Sequence, residues 1–394
     1  MQFYSDTTPW TMDNDRVKVV EDNDHLGQIV SGSTQEEKNI DERISKGRNS
    51  LFGLLGSAFA FKCHLSPVLK IHLFRTYTSP ILRSGLSSFA LRTNQISPMA
   101  IFHRKTLKSF LSLSKTAATH AIHFILGELP MEGQLHRDVF SLFYSVWINE
   151  KTKIYEIVKY LLSEVGPTSR TWCTFLRELS VKYNMTDPLQ CLASDPPSRG
   201  EYKEYVIIKI TSFYERELRE AASTNSCMEY LHVGVTGLRG KHHPAIAFIK
   251  TTSEVAKMRP HLKMLCGNLL TYGVKFEQSG VGSPHCRLCD SPFESVTHLV
   301  STCTTFTDVR EQILIEIDEK LKDSKNCLRL SNFQTSEETL TQFLLDPTSM
   351  NLIERVHMTD PIVTDLFKLS RDLCYHINKR RMNLLQDMKD KKSC

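Results

Sequence analysis

Between Arg43 and Gly127 the sequence contains no Asp or Glu, yet twelve Lys and Arg fall within those 85 residues. Such a block cannot neutralise itself. It must meet an anionic partner or bear its own repulsion. The 42 residues before it hold ten acids and three bases, a net of −7, and residues 128–394 hold 34 of each. The formal charge of +5 therefore averages an acidic lead, a +12 block and a balanced remainder. The commonest polyanionic partner is the nucleic-acid backbone, because each neutralised phosphate releases counterions. An acidic membrane surface ranks behind it, and the plainest alternative is a solvated face serving only solubility.

The 394 residues allow two or three domains, at about one per 150 residues. A composition of 41% hydrophobic and 24% charged residues is that of a globular chain, which excludes wholesale disorder. The longest apolar run, Leu51 to Phe61, is eleven residues, short of the ~20 that span a bilayer. Met1 to Asp15 carries acids where a signal peptide carries bases. The expectation is a nuclear or cytoplasmic protein, not secreted and without a membrane partner. Its eleven cysteines are then reduced thiols or metal ligands. Lys379-Arg380-Arg381 reads either as helix surface or as a nuclear-import signal.

Apolar spacing is helical almost throughout. Ser33 and Glu36 form a capping-box pattern ahead of a stripe of Ile40, Ile44, Leu51 and Leu55, and Leu26 to Val30 reads as a strand before it. Pro67 to Arg83 predicts a helix with Leu69, His72, Leu73, Tyr77 and Ile81 inward; Pro98 to Leu113 predicts one with proline in its first turn. His120 to Leu126 stops at Gly127 and Pro130. Leu135, Val139, Leu142, Phe143 and Val146 stripe a helix over 131–148, and further helices fall at 151–162, 168–182, 203–222, 310–322 and 365–387. Pro188 to Gly200, with three prolines, reads as a linker or long turn.

The sharpest local pattern is Cys286-x2-Cys289-x8-His298-x4-Cys303. A tight turn brings two thiolates of a C-x2-C pair to one cation, and a short helix can add the His and the last Cys. Soft thiolates with imidazole in a reducing compartment favour zinc. Four protein ligands leave no open position, so the site is structural. His285 and Cys266 are neighbouring alternatives as ligands, and a set of buried cysteines with a surface His is the bland one.

Catalytic patterns are missing. Phosphodiester chemistry needs paired carboxylates for two magnesium ions. Phe3-Tyr4-Ser5-Asp6-Thr7 has Thr7 where a Y-x-D-D box needs its second Asp. There is no phosphate loop of the G-x-x-x-x-G-K-[ST] type and no G-x-S-x-G elbow. Cys173 and Cys227 lack a motif that would activate a thiolate, and His120 and His123 read as helix residues.

Several segments in order resemble the C-terminal third of LINE-type (non-LTR) retrotransposon reverse transcriptases. Asp24 to Val30 resembles the strand ending the palm, and Ile40, Arg43, Ile44, Lys46, Gly47 and Arg48 resemble the thumb helix. Leu65-Ser66-Pro67, Leu73 to Tyr77 and Pro80 to Leu86 follow the family's next stretch, and Leu126-Gly127-Glu128-Leu129-Pro130-Met131 its l-G-x-l-P-i turn. Cys286, Cys289, His298 and Cys303, with Glu294 before the His and Arg310 after the last Cys, are similar to its CCHC finger.

The resemblance implies a thumb that grips template–primer through its backbone, with a finger that binds nucleic acid. It implies RNA or an RNA–DNA hybrid as partner, recognised by shape and phosphate. Arg43, Lys46, Arg48, Arg75, Arg83 and Arg92 are then the expected backbone contacts. The palm's catalytic aspartates are lacking, so the expectation is no polymerase activity from this chain alone, and magnesium only if a palm is supplied. The alternatives are part of an active reverse transcriptase with missed upstream sequence, and a helical, zinc-stapled protein-interaction scaffold. Oligomeric state stays open. The fold expected is mainly α: a palm-end segment over 1–32, a basic thumb-like helical bundle over 33–130, a helical C-terminal region over 131–280 with a linker near 186–200, a zinc-finger module over 281–310 and a helical tail over 311–394.

Overall fold

The computed structural model describes residues 11–12, 15–16, 20–25, 27–32, 34–55, 65–164, 166, 169, 171–225, 228–234, 237–322, 336–349 and 360–393. Ser33 of the capping-box pattern, Leu26, Thr168, Cys227, the second half of the 51–61 apolar run and Phe3 to Thr7 lie outside them. The described chain is mostly helical. Among the described residues the strands form two short antiparallel hairpins, β1 (Thr11–Met12) with β2 (Asp15–Arg16), and β3 (Asp22–His25) with β4 (Gln28–Ser31). Among those residues no helix is long and apolar enough to cross a membrane.

Two compact units divide the chain, and neither is continuous in sequence. The first comprises Met1–Phe61, His72–His103 and Leu129–Tyr214, and the second Lys62–Ile71, Arg104–Glu128 and Glu215–Cys394. The divisions expected from motifs follow contiguous stretches; the compact units do not.

In the first unit, α1 (Gln35–Leu55) receives the β3–β4 hairpin. Asn39 is buried and behaves as an extra strand residue: its Oδ1 accepts from Ile29 N–H at 3.0 Å and its Nδ2 donates to Ile29 C=O at 2.7 Å. Ile40 and Ile44 are buried as the stripe predicts. Gly47 lies so close to Leu82 that a Cβ would sit 2.4 Å from Leu82 Cδ2. The helix expected over 67–83 is continuous but mixed: α2 (Pro67–Leu73), a wide π turn (Phe74–Thr78) and α3 (Ser79–Arg83). Its buried face is Ile71, Phe74, Thr78 and Leu82; the predicted inward residues Leu69, His72 and Tyr77 are exposed. The stripe spaced four residues apart (69, 73, 77, 81) that the sequence suggested is therefore not the buried one.

Helix α4 (Thr93–Phe110) begins a turn before the expected proline start, so Pro98 lies inside it. Gln95 Oε1 accepts from Arg92 N–H at 3.0 Å, a cap that the proline pattern masks. Next come α5 (Thr119–Leu126), α6 (Met131–Trp147), α7 (Lys153–Glu164) and α8 (Trp172–Lys182). Leu135, Val139, Phe143 and Val146 of α6 are buried as read. The proline-rich linker contains a helix, α9 (Pro188–Leu192), because Asp187 caps it by accepting from Leu189 N–H at 2.8 Å. After α10 (Arg199–Ser223), the second unit adds α11 (Pro244–Ala247), α12 (Thr252–Leu265) and α13 (Tyr272–Ser279). It ends with α14 (Thr307–Lys322), α15 (Glu337–Leu345) and α16 (Asp360–Ser393), with α12 and α14 packed along α16. Gly127, which ends α5 with φ +59°, lies where a Cβ would meet Lys241 O at 2.3 Å. That packing explains the glycine of the expected l-G-x-l-P turn.

Each unit buries a neutral histidine. His136 donates or accepts at Tyr183 Oη over 2.5 Å, and His261 Nε2 donates to Leu345 C=O at 2.7 Å. Burial, the main cause, pushes both imidazoles down to about 4. The unfolded chain takes up these protons near pH 6.5 while the folded one refuses them until about pH 4. Stability contributed by the neutral rings is thus complete above pH 6.5 and falls as pH drops. Denaturant unfolding at pH 5 should show about 2 kcal/mol less stability per histidine than at pH 7. His261→Gln should reduce that difference in the second unit; an unchanged pH dependence would show that His261 does not carry it.

Candidate metal centre

Each of the four predicted ligands is placed by a local backbone device. Cys286 N–H donates to Ser291 C=O and Asp290 N–H donates to Cys286 C=O, both at 2.9 Å, closing the turn that turns Cys286 and Cys289 to one side. Asp290 completes that turn at φ +58°, in the left-handed region that Asp tolerates better than most residues. Glu294 N–H donates to Pro284 C=O at 2.8 Å and clamps the loop's ends. Ser295 Oγ accepts from His298 N–H at 2.9 Å and starts a π turn, His298–Thr302. Cys303 N–H closes it on His298 C=O at 2.7 Å. In an α-helix, residues five apart point about 140° from each other; the wider turn lets His298 and Cys303 face the same point.

The four ligand atoms lie within 4.8 Å of one another. Cys289 Sγ is 3.3 Å from His298 Nε2 and 3.7 Å from Cys303 Sγ. Zinc–sulfur bonds of about 2.3 Å in a tetrahedron put sulfurs about 3.8 Å apart, so the spacing fits that ion. His298 Nδ1 lies 3.2 Å from Thr302 Oγ1, and Nε2 is the ring nitrogen that faces the thiols. Cys286 and Cys303 are fully buried and His298 nearly so. The Cys286–Cys303 thiol hydrogen bond lowers the Cys303 pKa and, with burial, raises that of Cys286. This Cys3His cluster can hold a metal ion and is compatible with structural zinc. The alternative ligands fall outside it: His285 is exposed and held by Ser283 Oγ at 2.6 Å, and Cys266 is buried at the end of α12.

Around the cluster the two flanking motif residues have structural tasks. Arg310 Nη2 donates to Cys303 C=O at 2.6 Å. Glu294 is fully buried, accepts from Tyr272 N–H at 2.6 Å and forms a two-pronged ion pair with Arg381 at 3.0 and 2.9 Å. Arg381 therefore does not lie on the helix surface; it is 4% exposed, and Arg380 pairs with Asp308 at 2.7 Å. Sequence reasoning missed Arg381 as a support of the centre, since 87 residues separate it from Glu294. The Tyr272 ring, with Arg287 at 4.5 Å and Lys275 at 5.2 Å, carried no sequence signal either.

All six basic residues expected to touch phosphate belong to the first unit. They do not share one task. Arg43 is buried and donates to Gly27 C=O, fixing the β3–β4 turn. Arg83 is largely buried and pairs with Asp138. Both guanidiniums are thus engaged within the fold. Lys46, Arg48 and Arg92 are exposed and Arg75 is half-buried. Lys46 pairs with Glu42 at 2.8 Å. The acid-free block thus draws anions from outside itself, Glu42 before it and Asp138 after it, and its need for an external polyanion is smaller than its +12 indicates.

No family model matches the chain, no curated protein matches it, and no solved structure matches it.

Proposed function

We propose that this chain is a nucleic-acid-binding helical protein stapled by one structural zinc ion, similar to the thumb and CCHC finger of a LINE-type reverse transcriptase. The observation that carries the reading is the convergence of Cys286, Cys289, His298 and Cys303, spaced as in that finger, on one closed site. Thiolate and imidazole ligands select zinc over hard cations. A filled tetrahedron gives the ion no place for substrate or water, so its task is to hold the loop. The exposed cations Lys46, Arg48 and Arg92 supply phosphate contacts in the first unit, and the partner is RNA or an RNA–DNA hybrid. Polymerisation is not the work of this chain alone; magnesium enters only with a palm.

Fluorescence anisotropy with an RNA–DNA hybrid tests the reading. Affinity should fall steeply with salt, and full affinity at about 0.5 M salt would overturn it. Arg48→Ala with Arg92→Ala should weaken binding by about tenfold for all sequences alike, as lost phosphate contacts do. Arg43→Ala should instead lower stability.

A second reading, a protein-interaction scaffold, has one observation in its favour. Ile154, Ile157 and Tyr160 present an exposed apolar stripe on α7. It predicts no hybrid binding and self-association or a protein partner lost on Ile157→Glu.

A further inference from the structure

Two cavities of the first unit share Tyr202 of α10 and are walled on another side by α6, the first of them also by α8 and α9. One, of about 280 Å³, has an aromatic lining that includes Phe140, Phe143, Trp147, Tyr202 and Tyr205. The other, of about 610 Å³, is lined on one side by Arg137, Asp138 and Ser141 and on the other by Arg199, Tyr202 and Lys203. We propose that these cavities together bind single-stranded nucleic acid, an unstacked base entering the aromatic cavity while its phosphates lie along Arg137, Arg199 and Lys203.

The lining is prepared for that ligand. Tyr144 stacks on Tyr202 at 4.9 Å and 19°, and Trp147 meets Tyr202 edge-on at 5.8 Å. Tyr144 Oη donates to Pro197 C=O at 2.7 Å and Trp147 Nε1 donates to Ser194 C=O at 3.0 Å. The polar handles of both rings are satisfied by backbone, so they present carbon faces and hold their orientation. Any base has a π face, and stacking on aromatic walls is sequence-tolerant. In the neighbouring cavity the one acid, Asp138, is paired with Arg83. Arg199 and Lys203 are exposed and Arg137 half-buried. Arg199 and Lys203 give this cavity a positive rim, which suits phosphate and not a cationic peptide. Cys191, which also lines the aromatic cavity, is held protonated by burial, and the one charged group on that wall, Glu201, is engaged by Ser198 N–H at 3.0 Å.

None of these three cations belongs to the acid-free block, so the site is separate from Arg48 and Arg92. It rests on the proposed function only for the class of partner. The test uses the full-length protein and a ten-nucleotide single strand carrying 4-thiouridine. Irradiation should crosslink peptides from 137–147 or 197–205, and crosslinks confined to other segments would overturn the proposal. Arg199→Glu with Lys203→Glu should weaken the single strand by about tenfold while RNA–DNA hybrid affinity stays within about twofold. Loss of both alike would mean one shared surface and no separate site. Hybrid binding without single-strand binding refutes this inference and leaves the proposed function standing; absence of both refutes the latter. Equal affinity for a free mononucleotide would make the cavity a small-molecule pocket, not a strand site.

Discussion

Purified protein should contain about one zinc per chain, and Cys303→Ser should remove it, the expectation for a closed four-ligand site. Binding free energies of structural zinc reach about 10–16 kcal/mol in finger peptides at neutral pH, as large as the ~5–15 kcal/mol that stabilises a whole domain. Metal loss therefore should open residues 284–306 and expose Leu299, Val300 and Phe306, all fully buried here. Elemental analysis reads the metal, and limited proteolysis of chelated against untreated protein reads the opening. His285→Ala should leave both unchanged, since its ring is tied to Ser283 outside the cluster. Full zinc in Cys303→Ser, or identical proteolysis after chelation, would remove the staple.

The second large effect is expected at Glu294. Its carboxylate is wholly buried between Arg381 and Tyr272 N–H, and Arg381 is buried with it. Removing one member strands the other charge in a medium that cannot hydrate it. Glu294→Ala should cost about 3–5 kcal/mol, the usual result of breaking a buried pair from one side. Replacing both members with residues of similar volume, Glu294→Leu with Arg381→Leu, should recover a large part of that loss for the same reason. Denaturant unfolding of the two single variants and the double variant measures the coupling. Additive losses would mean that the pair contributes nothing beyond its two residues. The zinc content of Glu294→Ala is a useful second reading, because Glu294 N–H and C=O also clamp the loop, to Pro284 and Gly273. Those backbone bonds survive the substitution, so metal should be retained.

Much of the helical plan was legible along the chain. The α6 stripe, the Gly127 stop and the stripe through Ile40 and Ile44 needed only a period near 3.6 and the usual end signals. Failures came where two local signals competed. Pro98 marked a helix start because proline favours the first turn, yet the Gln95 cap begins the helix earlier. At 67–83 the stripe through Leu69 and Tyr77 was read as inward, yet Ile71, Phe74, Thr78 and Leu82 are the buried face. The prolines at 188–197 looked like a linker until the Asp187 cap made a short helix of its first part.

What the sequence determined by itself is local chemistry: helical periodicity, and four metal-type ligands within 18 residues, close enough for short turns to gather them. Tertiary structure alone decided the fate of the charges. It buried Arg43 against the β3–β4 turn, set Arg83 against Asp138 and drew Arg381 from the C-terminal helix to Glu294. It also brought Tyr202 of α10 beside Tyr144 and Trp147 of α6. A charge is counted the same wherever it stands in a sequence. Whether it meets water, a phosphate or a buried carboxylate depends on which distant segment packs against it, and packing is not a local property.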